Sequence, residues 1–183
     1  MPLMLDPVSW FAVRTRSNFE SRTAMCLREQ SFTILCPTYK VSRKWSDRTK
    51  VVNTPLFPGY LFCLLHLNDR AAVLKTPGVV DFVAFGNKPL PIAEEEISAV
   101  RKITSSQLIY GPCPFLKTGD RVTIERGALA GVEGILTKIK NACRLVVSIN
   151  VLQRAVAVEI DSDWVRMRPE IRSEPGALLK RAS

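Results

Sequence analysis

The chain has 183 residues, 46% of them hydrophobic and 23% charged, with a net charge of +9. That is enough for one large domain or two small ones around an ordinary core. No apolar run approaches the roughly 20 residues needed to span a bilayer, and Met1 to Trp10 lacks the basic start and apolar stretch of a signal peptide, so a cytoplasmic protein is expected.

Trp10-Phe11-Ala12-Val13 reads as a buried first strand, ending at Arg14-Thr15-Arg16. Ser17 or Asn18 suits an N-cap, with Glu20 in the first turn where the helix dipole favours an acid. Phe19, Thr23, Cys26 and Leu27 recur at helical spacing and predict an amphipathic helix over 18–30. Phe32 to Val41 predicts a second strand interrupted by Pro37, and Ser42 to Thr49 a polar, basic hairpin tip or loop carrying Arg43, Lys44 and Arg48. Between Arg14 and Lys50, nine basic residues stand against three acidic ones. That bias fits a surface turned toward nucleic acid, with solvated cations on an ordinary surface as the plainer reading.

The stretch Pro55-Leu56-Phe57-Pro58-Gly59-Tyr60 holds a Phe between two prolines. Each proline fixes its own φ and pushes the preceding residue toward extended backbone, so Phe57 has few conformations open to it. The ring is either a loop Phe folded back into the core or an aromatic anchor offered to a partner. Tyr60 to Leu65 is an apolar run for a doubly covered strand. Asn68 would cap a short helix through Lys75, Val79 to Phe85 is another strand, and Pro91 to Ile103 is a helix with Glu94, Glu95 and Glu96 in its first turn. This order predicts an α+β fold: an N-terminal antiparallel sheet with flanking helices, of the ferredoxin-like class, over 8–104.

Residues 105–116 are rich in Ser, Gly and Pro and read as a linker that retains enough apolar residues to dock. From 117 to 168 the pattern becomes short, alternating strands, as in a small all-β barrel, and 169–183 is expected to be a flexible tail. Cys26, Cys36, Cys63, Cys113 and Cys143 form no CxxC pair, and the sole His66 has no partner at recognisable spacing. Reduced thiols, no metal site, no cofactor and no catalytic residue are therefore expected.

Gly119 to Leu136, with Gly127, Gly131 and Gly134 at its turns, resembles a KOW motif, the signature of an SH3-like barrel. Trp10 to Val13, Pro55 to Phe62 and Gly78 to Val83 resemble, in order and spacing, the N-terminal domain of NusG transcription factors. Together the two cover roughly residues 9 to 168. The Pro55-Leu56-Phe57-Pro58 spelling, Val83 to Gly86 and Leu152 to Asp161 look more like the specialised paralogues RfaH and UpxY.

The resemblance implies a transcription elongation or antitermination factor, a monomer that binds the clamp helices of the RNA polymerase largest subunit, holds the clamp closed and opposes pausing at a restricted set of operons. Phe57, Tyr60, Phe85 and Ile97 match the polymerase surface, and Arg14, Arg16, Asn18 and Arg22 the positions facing upstream and non-template DNA. Leu152 stands where housekeeping members usually carry a Phe that contacts a ribosomal protein or Rho. Leu152 and Arg154 are thus the partner-binding positions of the barrel, with a Rho contact disfavoured. The competing reading is a ribosome- or RNA-associated KOW protein acting in translation. Density of β-branched residues from Val146 to Ile160 argues for a barrel rather than the helical hairpin with which RfaH masks its polymerase site. On that basis Phe57 should be exposed in the free protein, and deleting residues 105–183 should not strengthen polymerase binding.

Overall fold

In the computed structural model, residues 7–44, 49–113, 115, 119–139 and 142–167 are described. The basic turn with Arg48, part of the linker and the tail at 169–183 lie outside them. The N-terminal unit runs β1 (Ser9–Thr15), α1 (Glu20–Glu29), β2 (Thr33–Leu35), β3 (Thr38–Lys44), β4 (Thr49–Pro55), β5 (Tyr60–Leu65), α2 (Arg70–Leu74), β6 (Val79–Phe82), β7 (Ala84–Phe85), β8 (Lys88–Pro89), β9 (Pro91–Ile92) and α3 (Glu94–Ser105). Its main sheet has the order β2-β5-β1-β6, with β9 also pairing with β1, and every pairing is antiparallel. The α+β expectation holds.

Strand alternation explains the layering. On β1, Phe11 and Val13 join Ala24 and Leu27 of α1 and Val73 of α2 in one core. Trp10 and Ala12 point the other way, into a second core with Ile97, Val100 and Ile103 of α3. The run Trp10 to Val13 is apolar throughout because both faces of its strand are covered.

The second unit consists of β10 (Tyr110–Cys113), β11 (Asp120–Ile124), β12 (Glu133–Ile139), β13 (Ala142–Ile149), β14 (Arg154–Ile160) and β15 (Val165–Met167). They form one antiparallel sheet in the order β10-β14-β13-β12-β11-β15. No α-helix occurs among the described residues after Ser105.

Several local readings need correction. The helix expected from Pro91 starts at Glu94, because Pro91 and Ile92 pair with β1 as β9. The expected linker contributes β10, which pairs with β14 from Tyr110↔Val158 to Cys113↔Ala155. Neither Ser17 nor Asn18 caps α1: Phe19 sits at the cap position without a side-chain bond, and Asn18 takes a left-handed φ of 63° to turn the chain. Asn68 is no cap either, being inside a single 3-10 turn, Leu67–Asp69, that leads into α2. Val79 to Phe85 breaks after Phe82, and Phe85 belongs to a small hairpin of β7 with β8. Pro37, by contrast, interrupts β2 and β3 where it was expected to do so.

The two units share a core. Leu56, Phe57, Phe62 and the α3 residues belong to the same buried cluster as Val122, Leu129, Val147, Ile149 and Val156 of the second unit. The face of the main sheet that α1 and α2 leave open is thus covered by α3 and, with it, the C-terminal sheet.

Candidate functional site

The turn before β5 is held from several directions. Its own Tyr60 N–H donates to the Phe57 carbonyl at 3.0 Å, and Leu56 N–H donates to Pro37 O at 2.9 Å. Gly59, at φ 81°, donates its N–H to Glu20 Oε1 at 2.7 Å and accepts from Thr15 N–H at 2.9 Å. Its left-handed backbone suits Gly because no Cβ has to be accommodated. Glu20 is buried, and the amide of Gly59 compensates part of the desolvation of its carboxylate. Sequence reasoning saw Glu20 only as a helix-dipole acid; its position two residues before Arg22 carried no signal of this contact.

So fixed, Phe57 is 1% exposed and packs edge-on against Phe62, with ring centroids 5.2 Å apart. The expectation of an exposed Phe57 is therefore overturned. The β-rich second unit and a covered Phe57 coexist, because a sheet can supply the covering apolar surface as well as helices can. Ile97 is 0% exposed in the same cluster. Tyr60 is half-buried at its margin, beneath the Arg154 guanidinium, 4.9 Å from the ring centroid. Phe85 is elsewhere: it is 83% exposed on the β7–β8 hairpin and outside the cluster. The structure thus brings Phe57, Tyr60 and Ile97 together and leaves Phe85 apart.

Arg154 also donates from Nη1 to Pro58 O at 2.8 Å, so it grips the turn from the second unit. Its neighbour Leu152 is partly buried against the shared core. Both residues expected to meet an outside partner are engaged by the N-terminal unit or the core it shares. Three further polar contacts cross between the units. Glu96 accepts from the Asn150 backbone at 3.2 Å and from its side-chain amide at 2.5 Å, while Lys102 Nζ donates to Ala130 O at 2.9 Å. Tyr110 donates its hydroxyl to Thr38 O at 2.9 Å, and partial burial raises its phenol pKa, which keeps the donor protonated. Glu96 was read only as a helix-start acid, and Lys102, Tyr110 and Asn150 did not stand out in the sequence, since single polar residues on loops and helix faces show no periodicity. The packing is incomplete beside them: a cleft of about 790 Å³ opens along one side of the contact between α3 and the second sheet, lined in part by Glu95, Ser98, Arg121 and Glu133.

Beside this turn, Arg14, the register partner of Tyr60, together with Arg16, Asn18 and Arg22, is exposed around the end of β1 and the start of α1. No ion pair joins any of the three arginines to an acid among the described residues. They form an uncompensated positive surface suited to phosphates.

A family model described as transcription termination factor NusG matches residues 8–101, just over half of the chain. The transcription termination/antitermination protein NusG of Thermus thermophilus is 29% identical over 180 residues, covering 86% of this chain and 97% of the relative. The protein of the same name from Streptococcus pyogenes serotype M1 is 34% identical over 154 residues, covering 75% and 86%. Among solved structures, one described as domain interaction in Thermotoga maritima NusG superposes with a TM-score of 0.55 at 22% identity, covering 87% of this chain and 96% of that one. That last likeness is one of fold. With the family model and the Streptococcus relative in agreement over the unit that carries Phe57, Tyr60 and the basic surface, the chain belongs to the NusG family.

Proposed function

We propose that the protein is a transcription elongation and antitermination factor that acts by binding the clamp helices of RNA polymerase through the face containing Phe57, Tyr60 and Ile97, with Phe85 as an outlying contact. The observation that carries this reading is the family match over residues 8–101, the unit that builds this apolar face. Binding that favours the closed clamp over the open one would oppose pausing. Arg14, Arg16, Asn18 and Arg22 would lie along upstream DNA and the exposed non-template strand, with phosphates giving most of the affinity. The Pro55-Leu56-Phe57-Pro58 spelling and Leu152 in place of an aromatic favour a specialised paralogue of the RfaH or UpxY type, serving a few operons. The second unit would be a KOW barrel whose Leu152 and Arg154 meet a ribosomal protein.

The arrangement of the two units adds a condition. Phe57 and Ile97 are inaccessible while the second unit is docked, so clamp binding requires the units to part. In this reading Arg154 has two alternative engagements, the Pro58–Tyr60 turn in the closed molecule and an outside partner in the open one.

Co-purification tests the proposal. Tagged protein should retain RNA polymerase, and its genomic occupancy should concentrate on one or a few transcription units. Recovery of ribosomal subunits without polymerase would replace this reading with the translational one, and occupancy across most genes would replace the specialist with a general factor.

A further inference from the structure

The β3–β4 ribbon belongs to neither main sheet. Its register, from Thr38↔Pro55 to Lys44↔Thr49, sorts its residues into two faces. Tyr39, Val41, Val52 and Thr54 are partly buried, with Tyr39 packed against the shared core. Lys40, Ser42, Lys44, Thr49, Val51 and Asn53 form the other face, and all six are exposed, Val51 by 61%. Lys50 is exposed too but, opposite Arg43 in the register, belongs to the first of these faces. Neither strand of the ribbon carries an acid, and no carboxylate pairs with Lys40, Lys44 or Lys50 among the described residues. This two-stranded surface presents cations, hydroxyls and an amide with no acid on either strand, which suits a polyanion.

We propose that this ribbon is a second nucleic-acid-binding element, one that lies in the major groove of duplex DNA. The proposal rests on nothing in the polymerase assignment. A two-stranded ribbon fits the major groove, which is about 12 Å wide. Lys40 and Lys44 are four residues apart on one face, or about 13 Å along an extended strand. They can therefore reach phosphates on the two banks while Ser42, Val51 and Asn53 between them meet base edges. Single strands are a poorer fit, because sequence-tolerant binding of single strands uses exposed aromatic platforms, and the ribbon's Tyr39 is turned into the core. Duplex RNA is disfavoured by its deep, narrow major groove, which a ribbon cannot enter.

The test is equilibrium binding of the full chain to a mixed-sequence DNA duplex, the matching single strand and the matching RNA duplex, each over a range of salt. Wild type should prefer the DNA duplex. Replacing Lys40→Gln and Lys44→Gln together should lower duplex affinity several-fold at low salt and flatten the log–log salt slope by about one per lysine. As a control for bulk charge, Lys75→Gln with Lys88→Gln, both exposed and off the ribbon, should barely change the slope. Because Lys40 and Lys44 make no ion pair among the described residues, the thermal transition should be unaltered, and duplex-induced amide shifts should concentrate in residues 38–44 and 49–55. An unchanged slope in the double variant, an equal loss per lysine in the control pair, or an equal or greater preference for single strand or duplex RNA would each overturn the assignment.

Discussion

The Arg154 guanidinium covers the Tyr60 ring and holds the Pro58 carbonyl, so one side chain from the second unit grips both ends of the turn that follows Phe57. A partly exposed cation–π contact and one charge-assisted hydrogen bond together hold the closed arrangement by about 1 kcal/mol. Arg154→Ala should therefore raise the apparent affinity of the full chain for RNA polymerase by about fivefold, read by titration against the core enzyme; unchanged affinity would mean the grip does not limit opening. Phe57 itself behaves as a core residue first. Phe57→Ala should lower the unfolding free energy by about 3–5 kcal/mol in urea melts, so its effect on binding has to be read beside the gentler Phe57→Leu. A loss under about 1 kcal/mol would be incompatible with the packing against Phe62. Cys63 offers a pH test. Burial pushes its thiol up to about 12 from an ordinary value of 9.0. Below pH 9 neither folded nor unfolded chain ionises it; above that the unfolded chain releases the proton first, so this contribution to stability is lost as pH rises from 9 toward 12. Native Cys63 should accordingly resist alkylation at pH 8, while unfolding exposes it.

At the scale of elements, the strands with strong patterns were legible and the edges were not. β1 and β5 are unbroken apolar runs, and the shared strand and helix boundaries follow from Pro37, Gly59 and the three glutamates opening α3. β10 was hidden because Gly111 and Pro112 resemble linker chemistry, yet β10 pairs only with β14 and so lies at an edge, where proline is tolerated. Asn18 was read as a cap because its side chain suits one, whereas the chain needed its left-handed backbone instead. For the site, the ring at Phe57 was visible but its two readings, core and anchor, have the same sequence signature. What decides between them is the docking of a unit that begins more than fifty residues further along the chain. Gly134 gives the second sheet its own test. A Cβ there would lie 2.5 Å from Val146 O on the neighbouring strand, β13, and 2.9 Å from Leu145. A backbone carbonyl in a paired strand cannot step aside, so Gly134→Ala should destabilise the protein by about 1–3 kcal/mol in denaturant melts. A neutral effect would require β12 and β13 to separate locally.

For the whole molecule, the closed arrangement predicts that locking it silences it. Glu96→Cys with Asn150→Cys, replacing a bonded pair across the units, should abolish polymerase binding when oxidised and restore it on reduction. Binding undiminished in the oxidised pair would show that the docked unit does not obstruct the polymerase face. Deletion of residues 105–183 is now expected to strengthen binding, opposite to the outcome foreseen when Phe57 was taken as exposed. The β10 pairing also limits how the molecule can open. With α3 ending at Ser105 and β10 beginning at Tyr110, five residue steps join the units, a leash of at most about 18 Å when fully extended. A unit on so short a leash sees its docking face at millimolar local concentration, so an opened molecule recloses unless something occupies the vacated surface. Lengthening the leash requires β10 to peel from β14, at the expense of its ladder of hydrogen bonds. The reach of the second unit is therefore graded: a short swing with β10 in place, and a longer excursion only for a partner that binds tightly enough to unzip it.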